Sequence, residues 1–266
     1  MLTFIGICAA IVAGNGQPPV ALLFLAGVAI LFFSAGANGL TNYFDRDIDA
    51  RMQRTKNRAL PSRRIYPPEK VLPLTIGLVV ISLVLAWWLH PLCFASNLIG
   101  TIAAITWRKR ATCVFPQGVI ASCAPILIGW FAISPVFEWE LLLICILIAI
   151  WLPLHVWSLM IANREDYLSA KLCYFPMSWE IRQSKKVLLV LGLLLYISSI
   201  ALHFIGDFTW LYLVVANVLG IIVVYSSWRL IVSHTPRDAW RLYKLTAFPY
   251  LGIIFLVMCL DIWLFG

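Results

Sequence analysis

Charged side chains are scarce in this chain: 12% of its 266 residues, where a soluble domain carries about 25%. Acids are scarcer still, with 12 Asp and Glu against 20 Lys and Arg, while 62% of the residues are hydrophobic. That balance excludes an ordinary soluble domain, whose apolar share is nearer 45–50%. The seven cysteines (Cys8, Cys93, Cys113, Cys123, Cys145, Cys173, Cys259) form no CxxC pair and no metal-ligand spacing. They are expected to be small apolar packing residues. Neither a cleavable signal pattern nor a polar stretch of domain length is visible, so a single transmembrane domain over residues 1–266 is expected.

What the chain has instead is a series of long apolar runs, which predict an all-α, polytopic integral membrane protein with about nine transmembrane helices around a central cavity. Residues 1–14 are apolar but short of the roughly 20 residues that cross a bilayer. Asn15-Gly16-Gln17-Pro18-Pro19 breaks the chain. The second helix runs from about residue 20 through the first polar motif, and the others are expected over 67–88, 90–107, 114–132, 141–162, 186–204, 210–232 and 245–265. All 20 basic residues fall in or beside four connections, Arg46 to Lys70, Arg108 to Arg110, Arg164 to Lys186 and Arg229 to Lys244. The alternate loops hold Glu138, Glu140 and Asp207 instead. The positive-inside rule therefore puts the basic connections in the cytoplasm, with the chain in the plasma membrane and the site loops on the cytoplasmic side. The net charge of +8 is explained by topology rather than by nucleic acid, and no nucleic-acid partner is expected.

One stretch concentrates the polar chemistry, from Thr41 to Arg64. On a helix continuing through Asp49, Asp45 and Asp49 project from one face about 40° apart, with Asn38 over Asp45 and Asn42 over Asp49. Two carboxylates with amide oxygens make an all-oxygen site suited to Mg²⁺ shared with a phosphate group. Arg51, Arg54, Lys56, Arg58, Arg63 and Arg64 follow, the natural partners of a polyanion. The plain alternative is a solvated loop at a helix end. A second constellation, Leu154 to Tyr167, places His155, Glu165, Asp166 and Tyr167 at a helix end on the same side, where Glu165 and Asp166 would hold a second Mg²⁺. His155 and Asp166 share a face but stand about 16 Å apart along the axis, too far for one ion. A lone histidine in an apolar helix is more often a packing group.

The stretch RDIDARMQRTKNRALPS resembles the first aspartate-rich motif of the UbiA family of intramembrane prenyltransferases, and within it the heme-farnesylating branch. His155, Asp166, Tyr167, Ala170 and Pro176 match that branch's second motif in register, and Ala124-Pro125-Ile126-Leu127-Ile128-Gly129-Trp130 is similar to its PPLIGW-like segment. The resemblance begins part-way into the first helix and extends to the ninth. It departs at Thr41, where the family usually has asparagine, around Asp166, where broader relatives carry more aspartates, and at Cys173, which replaces a proline. The resemblance implies a Mg²⁺-dependent transferase that moves a farnesyl group from farnesyl diphosphate to a vinyl group of heme B. Asp45, Asp49, Asp166 and Tyr167 would be catalytic; Asn38, Asn42, Asp45, Asp49, Glu165 and Asp166 would ligate metal. Arg54, Lys56, Arg58, Lys109, Arg110 and His155 would bind the substrates, with the lipid bilayer and terminal-oxidase assembly proteins as partners. Prenyl transfer to a quinone precursor or a lipid acceptor uses the same metal site, and a heme transporter without chemistry is the alternative from another class. A transporter favours inverted repeats or midplane charges, and the acids here cluster at one interface.

Overall fold

The computed structural model describes residues 1–106, 115–233 and 235–266, and every regular element among them is helical. In chain order they are α1 (Leu2–Ala13), α2 (Val20–Asp49), α3 (Leu72–Leu89), α4 (Pro91–Thr106), α5 (Gln117–Phe131), α6 (Trp139–Ala162), α7 (Arg164–Ser169), α8 (Ile181–Ile205), α9 (Trp210–Ser233), α10 (Pro236–Thr246) and α11 (Ile253–Phe265). A 3₁₀ turn, Pro68–Val71, leads into α3, and a π-helical turn, Phe248–Gly252, joins α10 to α11. Pro249 has no N–H to give to a regular helical ladder, which accounts for the local distortion. The ninth span, expected over 245–265, thus consists of the end of α10, the π-helical turn and α11.

The chain is a multi-pass membrane protein. Among the described residues six helical stretches are long and apolar enough to cross a bilayer: Val20–Asp49, Pro68–Leu89, Trp139–Ala162, Ile181–Ile205, Trp210–Ser233 and Pro236–Phe265. The expectation of nine spans is corrected here, because among the described residues α1, α4 and α5 have 12, 16 and 15 residues. At 1.5 Å per residue each falls short of a hydrocarbon core about 30 Å thick. Apolar composition marked these runs as helices, but the breaks at Pro18-Pro19, Pro91 and Pro116 limit their length.

Neighbours in sequence pack as neighbours in space: α2 on α3, α4 on α5, α8 on α9, with α1 against α5 and α6 against both α8 and α10. The last helix returns to the first. α11 packs on α1, and Trp263 Nε1 donates to the carbonyl of Gly16 at 2.8 Å, in the turn where Gly16 takes φ +79°. α1 and α5 cross where Gly6 and Gly129 meet, and a Cβ on either glycine would strike the other helix's backbone. Small residues allow this approach, since lipid supplies no hydrophobic drive between helices. Large apolar side chains instead face outward, among them Leu74, Trp88, Ile197 and Phe204, as a lipid-facing surface requires.

Two buried polar networks tie the helices together. Asn97 on α4 donates to Ser82 Oγ on α3 at 2.6 Å, and Ser82 donates to the carbonyl of Ala29 on α2 at 2.7 Å. Asp261 on α11 accepts from the backbone N–H and hydroxyl of Thr209 at 2.7 and 2.6 Å and from the N–H of Tyr212 at 3.2 Å. It thereby satisfies orphan donors at the start of α9.

Candidate active site

The polar end of α2 carries the first constellation. Asp45 and Asp49, one turn apart, are both buried, at 3% and 0% exposure. The charge on Asp49 is met by Arg58: its Nη1 lies 2.9 Å from Asp49 Oδ2 and 3.2 Å from Asn42 Oδ1. Thr55, also buried, donates to the carbonyl of Asp49 at 3.0 Å and folds the loop back over the helix end. The residue at the departure from the family pattern, Thr41, spends its hydroxyl on the carbonyls of Ala37 and Ala104 at 2.9 and 3.3 Å. Thr41 thus joins α2 to α4.

Two cavities flank this face of α2. One, of about 260 Å³, is lined by Phe33, Ser34, Asn38, Thr41, Asn42, Asp45, Arg58, Ser122, Val156, Tyr167 and Tyr174 among others. The other, of about 550 Å³ between α2, α3 and the loop, has Asn38, Asn42, Asp49 and Arg58 on its wall. Asn38, Asn42 and Arg58 border both. The first chamber is mostly apolar away from its acidic mouth. Ser34 Oγ, buried with no hydrogen-bond partner among the described residues, faces it eleven residues and about 16 Å from Asp45 along the helix.

The two sequence constellations meet through an apolar cluster. Ile48 and Met52 from the first pack with Met160, Tyr167, Ala170, Leu172 and Met177 from the second. This packing sets Tyr167, 4% exposed, on the wall of the chamber that holds Asp45. Asp166 points elsewhere. Its two carboxylate oxygens accept from the backbone N–H groups of Gln53 at 2.6 Å and Arg54 at 3.1 Å, clamping the basic loop to α7. Asp166 and the exposed Glu165 line a separate cavity of about 740 Å³ on the far side of α7.

The remaining expected residues divide in the same way. Arg58 is brought to the acids, whereas Arg54 and Lys56 are exposed and line none of these three cavities. Lys109 and Arg110 lie outside the described residues. His155 is not brought to the chamber of Asp45. Its ring is stacked between Trp151 (centroids 4.8 Å apart) and Tyr243 (4.5 Å), and its Nδ1 lies 3.0 Å from the hydroxyl of Thr246. Among the described residues no group of three or more His, Cys, Asp or Glu is arranged around a metal position. The donor set at α2 is nevertheless of the right kind, two carboxylates with amide oxygens, and the guanidinium held between Asn42 and Asp49 shows that the position attracts a cation.

Comparison with known proteins decides what this arrangement belongs to. The model of the UbiA prenyltransferase family matches residues 1–255. The chain belongs to that family. It is 34% identical over 270 residues to the protoheme IX farnesyltransferase of Desulforudis audaxviator, covering 99% of this chain and 85% of that protein. Among solved structures it is similar to a digeranylgeranylglyceryl phosphate synthase, with TM-score 0.80, 17% identity and coverage of 98% of this chain and 92% of the other. It is also similar to a UbiA homolog from Archaeoglobus fulgidus bound to DMAPP and Mg²⁺, with TM-score 0.68, 13% identity and coverage of 99% and 94%. At those identities the solved structures speak for the fold. As a UbiA family member the chain is a membrane prenyltransferase, and the all-helical, multi-pass architecture is the one the family uses.

Within this prenyltransferase several cavity residues escaped the sequence reading. Ser34 shares a helix face with Asp45 at a spacing of eleven, a signal that was present but unremarkable in an apolar run. Ser122 and Tyr174 had no local signal, because they reach the chamber only through packing of α5 and of the connection after α7. Lys185 sat in a run read purely as topology.

Proposed function

We propose that this protein transfers a farnesyl group from farnesyl diphosphate to a vinyl group of heme B, giving heme O, with Mg²⁺ at the α2 site. The observation that supports the diphosphate half is the buried pair Asp45 and Asp49 one turn apart on α2, each on the wall of one of two cavities that share Asn38, Asn42 and Arg58. The acceptor rests on the 34% identity to a protoheme IX farnesyltransferase along almost the whole chain.

Asp45, Asp49, Asn38 and Asn42 would hold Mg²⁺, which when bound neutralises charge developing on a departing diphosphate. Arg58 then turns from Asp49 toward the phosphate oxygens, joined by Arg54 and Lys56 from the same loop. As the allylic C–O bond breaks, its electron pair leaves with the diphosphate. The vinyl π pair of the acceptor forms the new C–C bond, water adds to the resulting cation, and its proton passes to the released diphosphate. Phe33, Val156 and the other apolar walls hold the isoprenyl tail and keep bulk water from the first cation. Tyr167 borders the same chamber and would position the reacting groups. Asp166 serves by fixing the loop that carries the arginines. The basic connections would face the cytoplasm.

The test is transfer by purified protein with Mg²⁺ and labelled farnesyl diphosphate, offered heme and a quinone precursor in parallel. Labelled product from heme, reduced about 100-fold or more in Asp45→Ala and in Asp49→Ala with the helical content unchanged, is the expected result. Product from the quinone precursor alone would move the acceptor, and full activity in either variant would remove the metal-site assignment.

A further inference from the structure

The 740 Å³ cavity behind α7 lies outside the reaction just described. Its wall combines Gln53 of the basic loop, Ile161 to Asp166 around the α6–α7 junction, Ile181 and Lys185 of α8, and Thr235 and Pro236 at the start of α10. Four ionised side chains line it, and three are accounted for. Arg164 donates to the carbonyls of Pro176 and Met177 at 3.3 and 3.1 Å, Asp166 accepts from the loop amides, and Glu165 stands at the exposed rim.

Lys185 is different. It is 5% exposed, yet among the described residues its ammonium makes no hydrogen bond and no ion pair. Asp238, the carboxylate whose field reaches it, is already held by Arg229 and Arg241, both at 3.2 Å, and by the hydroxyls of Ser233 and Thr235. Asp238 is thus shared among three cations, while the two acids on the cavity wall, Glu165 and Asp166, stand at the exposed rim and in the loop clamp. The stem of Lys185 is covered while its ammonium opens onto the cavity, where an anion would meet it directly.

We infer that this cavity is a phosphate-binding site, separate from the prenyl-diphosphate site, in which Lys185 is the anchoring cation. The position suits a phosphate group supplied either by the headgroup of an anionic phospholipid or by free phosphate, because the cavity mixes Ile161, Ala162 and Ile181 with polar groups at the ends of membrane helices. Occupancy also bears on the active site, since Gln53 and Asp166, the two ends of the loop clamp, are part of the wall. A bound phosphate steadies that clamp and with it the loop bearing Arg58.

The test uses full-length protein, delipidated in neutral detergent, with thermal stability and the rate of tryptic cleavage within residues 51–64 as readouts. Inorganic phosphate, phosphatidylglycerol and phosphatidylcholine are added separately. Stabilisation and slower loop cleavage with phosphatidylglycerol but not phosphatidylcholine are expected, and the same response to inorganic phosphate would identify the free anion as sufficient. Lys185→Met, which keeps the length of the side chain, should weaken the response roughly tenfold or more. Glu165→Gln, an exposed change unlinked to the fold, should strengthen it by removing a like charge from the rim. No response to either phosphate source, or an unaltered one in both variants, overturns the site. Mg²⁺-dependent binding of farnesyl diphosphate, measured alongside, should persist in Lys185→Met. Its loss in the unmodified protein would instead count against the proposed reaction and leave the phosphate result standing.

Discussion

One guanidinium nitrogen of Arg58 bridges Asp49 Oδ2 and Asn42 Oδ1, at 2.9 and 3.2 Å, so a tethered cation occupies two of the oxygens expected to ligate metal. Metal binding must displace it. With the arginine side chain 45% exposed, the pair is worth up to about 1 kcal/mol, or roughly a fivefold effect on a competing cation. Arg58→Ala is therefore expected to bind Mn²⁺ several-fold more tightly in the absence of donor, read by electron paramagnetic resonance, while binding farnesyl diphosphate more weakly. Weaker Mn²⁺ binding in the variant would show that Arg58 organises the site rather than competing for it.

The clamp at Asp166 should behave as a structural part of the site. Asp166→Ala loses two charge-assisted bonds to the amides of Gln53 and Arg54, on the order of 2 kcal/mol together. Loop opening should rise roughly thirtyfold, and trypsin should cut within residues 51–64 correspondingly faster. Turnover falls with the loop's order, whereas Mn²⁺ bound at Asp45 and Asp49 is retained. Metal loss without faster cleavage would restore Asp166 as a ligand.

For His155 the stacking between Trp151 and Tyr243 and the contact to Thr246 predict a packing role. His155→Ala should lower stability by about 1–2 kcal/mol, consistent with loss of aromatic contacts and one hydrogen bond, and leave donor binding intact. A heme Soret band that shifts in this variant, without any loss of stability, would assign the histidine to the acceptor instead.

Asp261 gives a prediction remote from the chemistry. It is 2% exposed and accepts three hydrogen bonds at the start of α9. Asp261→Ala leaves those donors unmet in a buried setting and should cost about 2–4 kcal/mol. The expected signature is a lower unfolding temperature in detergent with unchanged donor affinity in the folded fraction.

Much of the candidate site was legible because it is local. Asp45 and Asp49 lie four residues apart on one helix, and Asn38 and Asn42 extend the same face, so helical periodicity alone aligned them. In the second constellation the direction in which each side chain points was not legible. Neighbouring residues on a short helix point in different directions, and only the apolar cluster of Ile48, Met52 and Met160 settles that Tyr167 turns to the chamber while Asp166 turns to the loop amides. The surroundings of His155 were illegible for a related reason: sharing a face with Asp166 along the helix says nothing about which neighbour covers that face, and here it is α10.

The sequence by itself determined the membrane class, the helical runs and the place where acids and arginines concentrate, because composition and period are properties of a single stretch of chain. The tertiary structure decided which helices reach across a bilayer, how α11 returns to α1, where each carboxylate points and that Lys185 faces a cavity without a partner. Those outcomes depend on groups far apart in sequence coming within a few ångströms, and a hydrogen bond such as that from Gln53 to Asp166 exists only once the packing has brought its two ends together.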